Sequence, residues 1–330
     1  MARTPDQQPA PDAGAPHLAP HGTVVVGCDG SWQSRLALER AATEARRRGA
    51  RLVVLGVAVP GRAGQVFSRG DWARVSNEAE QSARYVVTDA CRRVSEAYPD
   101  VPVSTVVAES VKDREVAELG DLAELLVLGR RGAGGRGVFV LGSMSDELAQ
   151  RFWCPLLICQ DDPGSGPERP DKVSSVVVGI SSQHDADVIL DLAAAEAQAR
   201  ACPLTIVRAQ GGHVGDRDPL LDRVWQWLQA RTDGQATPAV AGAGSQVPTS
   251  TPAVVVTKDE PVTALVNRVE QGDLLVVGTR GEGSLAGLIV GSVARGVLDR
   301  MPCDVLIVRA TTRRPQPQPP TVVNLDPVRS

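Results

Sequence analysis

Gly129-Arg130-Arg131-Gly132, nine further residues, then Gly142-Ser143: this stretch decides the reading, because it occurs twice. The second copy is Gly278-Thr279-Arg280-Gly281, nine residues, Gly291-Ser292. Each copy follows an apolar run that reads as a buried strand, Leu125-Leu126-Val127-Leu128 in one and Leu274-Leu275-Val276-Val277 in the other. Each is followed by a short helical stretch, a cysteine (Cys154, Cys303) and a further apolar strand. The two copies keep a constant separation of 149 positions from the first glycine through the cysteine. Repetition at that length means two copies of a domain, not a solenoid of short units.

The chemistry of the repeated stretch is anion capture. Glycine lets a backbone turn sharply and approach a ligand without a side chain between them. A serine opening a helix precedes free N–H groups at the positive end of the helix dipole. Strand, glycine loop and helix N-terminus together cradle a phosphate. The plainer alternative is that the glycines only make tight turns at strand ends.

Working outward, 23–27 is a buried strand running into the polar turn Cys28-Asp29-Gly30-Ser31, and a helix follows to Arg48 with Gly49 as its stop. Strand 52–59, a loop at 60–70, a long helix over 72–98, strand 101–107, a helix over 112–119, strand 125–128 and strand 156–159 complete the first unit. Pro102 marks strand 101–107 as an edge strand. The second unit reads as strand 176–181, helix 186–200, strand 204–209, helix 219–230, strand 253–257, helix 262–269, strand 274–277 and strand 305–308. Residues 1–21 and 311–330 are proline-rich and read as disordered tails, and 161–171, with three prolines, as a linker. Domains are therefore expected over 22–160 and 172–310. Strands alternating with helices imply α/β domains with helices on both faces of a parallel sheet. Ligands in such doubly wound sheets bind beyond the carboxyl ends of the strands, which puts Asp29 and the first glycine loop in one pocket.

Composition narrows the function. Apolar residues make up 42% and charged residues 22% of 330, with a net charge of −4. No basic excess suits a nucleic-acid binder. No apolar run of membrane-spanning length and no signal core occur. The six cysteines form no C-x-x-C pair, which points to a reducing, cytoplasmic setting without disulfides. No Walker A lysine, zinc spacing or nucleophile motif is present. His184 and His213 lack ligand spacing. Trp72, Trp225 and Trp227 read as packing or surface residues rather than adenine stackers. Arg130, Arg131 and Arg280 are read either as phosphate contacts or as solvated loop residues, and of these only Arg131 and Arg280 repeat between the units.

With these motifs in view, the chain resembles a tandem universal stress protein with two UspA-type domains, over roughly 22–160 and 172–310. The G-x-x-G, nine residues, G-S pattern, the aspartate after the first strand (Asp29) and the Cys154-Pro155 lead into an apolar strand carry the resemblance. It implies Rossmann-like domains with strand order 3-2-1-4-5, ATP as ligand, and pairing of domains through their fifth strands; a Mg2+ ion held mainly by the phosphates and water would neutralise the phosphate charge. Carried across, Asp29 falls near ribose and adenine, and Val57 against adenine. Leu128 and Gly129 line the nucleoside side. Arg130, Gly132, Gly142, Ser143 and Met144 surround ribose and phosphates, with Gly278, Gly281, Gly291 and Ser292 as the second set. The second unit departs from the pattern: Ser181 stands where Asp29 does and Ala209 where Val57 does. Losing one charge-assisted contact costs about 1.5–3 kcal/mol, so the first site is expected to bind ATP better.

Three functions remain at this point: an ATP-binding stress-response module that works through unidentified protein partners, a slow ATPase or phosphotransferase, and a structural interaction protein. Catalysis is the weaker reading, because no residue stands out as the base that phosphoryl transfer needs. The two fifth strands, 156–159 and 305–308, are expected to pair within the chain, and association of whole chains stays open.

Overall fold

A computed structural model describes residues 22–59, 69–130, 143–160, 173–183, 185–210, 218–232, 252–279 and 291–309. The two tails, the linker, both loops that follow the first glycine pair, Gly132, Gly142, Gly281, Arg131, Arg280, His184 and His213 lie outside them.

Ten strands form one sheet in the order β3-β2-β1-β4-β5-β10-β9-β6-β7-β8. The first half comprises β1 (Thr23–Gly27), β2 (Arg51–Val57), β3 (Val103–Ala108), β4 (Leu125–Gly129) and β5 (Leu156–Cys159). The second comprises β6 (Val176–Gly179), β7 (Leu204–Ala209), β8 (Ala253–Thr257), β9 (Leu274–Gly278) and β10 (Asp304–Val308). Each half is parallel, with the expected 3-2-1-4-5 order. The inner strands are rich in valine, leucine and isoleucine and are sealed on both sides: Val24, Val25 and Val26 have no exposed surface. Alternate residues feed two separate cores, one on each face of the sheet.

The helices are α1 (Trp32–Arg48), α2 (Arg69–Ala97), α3 (Arg114–Leu122) and α4 (Ser143–Arg151), then α5 (Ala186–Arg200), α6 (Pro219–Thr232), α7 (Pro261–Val266) and α8 (Ser292–Arg300). The Ser31 hydroxyl accepts a hydrogen bond from the Ser34 N–H and caps α1, and Gly49 at φ +61° closes it. The equivalent closing residue of α5 is Ala201, a non-glycine held at φ 49°. Strand 52–59 is observed as Arg51–Val57, helix 72–98 as Arg69–Ala97 and strand 176–181 as Val176–Gly179, and three further shifts have a visible cause. Strand β3 starts at Val103, because Pro102 offers only its carbonyl, which Leu52 N–H uses. Helix α3 starts at Arg114, since the Asp113 carboxylate accepts from the Glu109 and Ser110 N–H groups and folds 109–113 into a turn. Helix α7 ends at Val266; Val269 is still buried, so apolar periodicity outlasts the helix.

The halves join where β5 and β10 run antiparallel, with Leu157 opposite Leu306 and Val305 opposite Ile158. Leu157 and Leu306 occupy equivalent positions in the repeat, so the seam is centred on an internal pseudo-twofold axis. Pairing there removes two open sheet edges. Flanking bonds obey the same symmetry: the Gln160 side chain donates to the Leu298 carbonyl and its counterpart Arg309 to the Ala149 carbonyl.

Candidate functional site

Strand β1 lies between β2 and β4, so the chain leaves its carboxyl end at the point where the strand order reverses. In doubly wound sheets that crevice receives the ligand. Asp29 sits there, half-buried, just beyond β1. Its Oδ1 accepts from the Ser31 N–H at 3.0 Å and from the Ser31 hydroxyl at 2.6 Å. Because Ser31 also caps α1, the carboxylate is tied to the helix start. Ser31 was not assigned a role from sequence, although an aspartate two residues before a capping serine is a readable turn signal.

Val57 closes β2, and Leu128 and Gly129 close β4 beside β1. The Leu128 side chain is spent on the core, only 2% exposed, so a ligand could meet only its main chain. At Gly129 an added Cβ would come within 2.8 Å of the Gln33 carbonyl carbon and oxygen. The absent side chain therefore lets the β4 end close against the start of α1, and turn-making alone does not explain this glycine.

Arg130 is placed differently from a simple loop arginine. Its N–H is bonded to the Cys159 carbonyl at 3.2 Å. One guanidinium N–H reaches the Asp299 carbonyl at 3.2 Å and lies 3.5 Å from its carboxylate, across the seam in α8. Its Nε is buried with no acceptor among the described residues. Ser143 and Met144 open α4, and Ser292 opens α8. The cap of α8 is Gly291, which has no side chain to occupy the first N–H groups. That leaves these donors for a ligand or for water.

The second half brings Ser181 to the end of β6 and Ala209 to the end of β7. The ladders confirm the equivalence: Gly27 is opposite Leu55 in one and Gly179 opposite Val207 in the other. Near Ala209, Asp218 accepts from Arg208 Nε at 2.9 Å and caps α6 at Leu220. Burial alone would raise the Asp218 carboxyl, but its bonds to Arg208 and Gln210 hold it below the usual carboxylate range.

Cys28, beside Asp29, is held as the neutral thiol rather than the reactive thiolate. Burial, aided by the Asp29 charge, pushes its thiol up to about 12. A cleft of about 170 Å³ opens next to it between α1 and α2, lined by Gly30, Arg35, Tyr85 and Arg93 among others, on the helix side of the turn. Trp227 is buried and donates to Asp191, while Trp72 and Trp225 are exposed, so none lines the site. All six cysteines are free. Among the described residues no cluster could hold a metal and no helix is long and apolar enough to cross a membrane.

Two doubly wound units joined edge to edge, each with a switch-point crevice, define a tandem α/β protein. The chain belongs to the universal stress protein family, whose model matches residues 21–160 and 172–309. It is similar to two universal stress proteins of Mycobacterium tuberculosis. One is 28% identical over 295 residues, covering 87% of this chain and 96% of the relative. The other is 30% identical over 297 residues, covering 88% and 97%. A universal stress protein from Archaeoglobus fulgidus shares the fold at a TM-score of 0.63 and 18% identity, covering 87% of this chain and 96% of its own.

Proposed function

We propose that this chain is an ATP-binding regulatory module of the stress response, with units 22–160 and 172–310 and with the first unit holding the better site. The observation that carries the reading is Asp29 at the β1–β4 switch point, tied to the α1 cap through Ser31. A carboxylate fixed there suits the hydroxyls of a ribose, from which it would accept hydrogen bonds. Val57 would meet the adenine, with the main chain of Leu128 and Gly129 beside the nucleoside.

Phosphates would be held by Gly132, Gly142, Ser143 and Met144, largely through N–H groups at the start of α4. Arg130 adds its unpaired Nε–H but would keep its hold on Asp299. Mg2+ would supply charge neutralisation on the phosphates, which together with water would be its main ligands. In the second unit Gly278, Gly281, Gly291 and Ser292 offer the same donors, while Ser181 lacks the charge of Asp29. Binding there would be weaker. The free cysteines fit a cytoplasmic setting. Output passes to protein partners rather than into turnover.

Native mass spectrometry of the gently purified chain, followed by an ATP titration of wild type and Asp29→Ala, tests the proposal. One bound ATP, weakened roughly tenfold to a hundredfold in the variant, supports it. Two equal sites would refute the asymmetry, and no binding by wild type would refute the function.

A further inference from the structure

The two outer edges of the sheet are unlike. Strand β3 exposes the polar Ser104 and Thr105 and packs under the 29-residue α2. Strand β8 reads Ala-Val-Val-Val-Thr, with neither proline nor charge, and none of its residues is buried. The helix before it, α6, has only 14 residues, and Val256 is 44% exposed. No described strand pairs with the outer side of β8. Natural edge strands are normally blunted by charge, proline, bulge or cover; between its flanking Pro252 and Lys258, β8 is three valines between an alanine and a threonine, with no polar pair like the Ser104 and Thr105 of β3.

The hydrogen-bond phase of β8 fixes what it can accept. The Thr257 carbonyl accepts from the Gln210 N–H at 2.8 Å, so Thr257 faces β7, as do Val255 and Ala253 by alternation. Val254 and Val256 therefore present their N–H and C=O groups outward. In an antiparallel pair, residues whose groups face each other exchange two bonds, and the residue between them sits in a non-bonded pair. A second β8 meets that pattern without adjustment: Val254 opposite Val256, Val255 opposite its own copy, Val256 opposite Val254. The exposed Val256 then covers the Val254 of the other copy on the same face. Lys258 falls opposite Pro252, so like charges do not oppose one another. The centre of the molecule already uses this arrangement, with β5 and β10 paired antiparallel about equivalent leucines.

We propose that β8 is an interface at which two copies of the chain pair, antiparallel, about a twofold axis through Val255. A twofold contact of this kind closes on itself and yields a dimer, not a fibre. An interface built on one short strand belongs to the small, transient class, so dimerisation is expected to depend on concentration.

Sedimentation velocity over a concentration series, with and without Val256→Lys, reads the mass directly. Wild type should reach twice the chain mass, and Val256→Lys, a change at an exposed position, should stay at the single-chain mass with an unchanged melting curve. Register is read by cysteine. Val255→Cys places two thiols in a non-bonded pair at about 4.5 Å between Cα atoms, within disulfide range. Under mild oxidation it should cross-link to a dimer, while Val254→Cys, which faces Val256, and wild type should not. A wild type that is monomeric throughout, a Val256→Lys dimer as tight as wild type, or a Val255→Cys chain that fails to cross-link would each overturn the proposal.

Discussion

Glu196→Gln should be among the most destabilising single-atom exchanges in this chain. Glu44 in α1 and Glu196 in α5 are equivalent positions of the repeat, 6% and 3% exposed, and meet across the pseudo-twofold axis. Arg48 and Arg200 are likewise equivalent. Each carboxylate accepts from all three of Arg47, Arg48 and Arg200, with Arg48 at 2.5 Å and Arg47 at 2.8 Å from Glu196. Burial by itself would raise the Glu44 carboxyl, but Arg200, Arg47 and Arg48 outweigh it and hold it below its ordinary value. The cluster carries three positive and two negative charges. Removing the Glu196 charge leaves three guanidinium groups sharing one carboxylate in a largely dry seam. Breaking a buried pair from one side costs about 3–5 kcal/mol; Arg47 and Arg48 are about a fifth exposed, which places the expectation at about 3 kcal/mol.

The repeat supplies its own control. The counterpart of Arg47 is Ala199, so the second unit does without a third arginine. Arg47→Ala leaves two carboxylates with two arginines and should cost less than about 1 kcal/mol. Adding Arg47→Ala to Glu196→Gln should recover about 1–2 kcal/mol, since it removes the excess charge. A Glu80→Gln change on the exposed face of α2 should cost only about 0.3–0.5 kcal/mol. Urea denaturation at pH 7 followed by circular dichroism measures all four. The Glu44 carboxyl is depressed in the folded state, so its contribution is present above its unfolded pKa and lost as pH falls through the folded one. A cost below about 1 kcal/mol for Glu196→Gln, or equal costs for Arg47→Ala and Glu196→Gln, would refute the reasoning.

Ala201→Gly, at the left-handed close of α5, should stabilise the chain by about 0.5–1 kcal/mol, and thermal melting reads it directly. Gly129→Ala should cost about 1–3 kcal/mol, because the new Cβ meets Gln33 backbone at 2.8 Å; a neutral result in urea titration would show that the β4 end and α1 separate freely. Cys28 and Cys154 are both pushed up to about 12, chiefly by burial, from an ordinary value of 9.0. A raised acid pKa means stability intact below an unfolded pKa of about 9 and lost above it, by about 1.4 kcal/mol per pH unit for each thiol. Cys154→Ala should flatten that alkaline loss in a pH series of denaturation curves.

The repeat, the alternation of strands and helices and the position of Asp29 after β1 are all legible in the amino-acid order. Local rules decide these: period-two and helical apolar patterns, capping residues and glycine punctuation act over a few residues. The asymmetry of Asp29 against Ser181 is legible too, because equivalence follows from spacing alone. Helix ends were less so, as at Val269, where burial continues after the backbone has left the helix. What meets across the seam emerges with the assembled fold and not before it. Arg130 is expected beside ribose and phosphates from its place next to a glycine pair, and only the fold shows that Asp299, 169 positions away, holds its guanidinium. Nothing in the local sequence singles out Glu44 and Glu196, which become buried because antiparallel pairing of β5 with β10 brings α1 and α5 together. No local pattern encodes that encounter, since its partners are set by the symmetry of the assembled sheet rather than by neighbours in the chain.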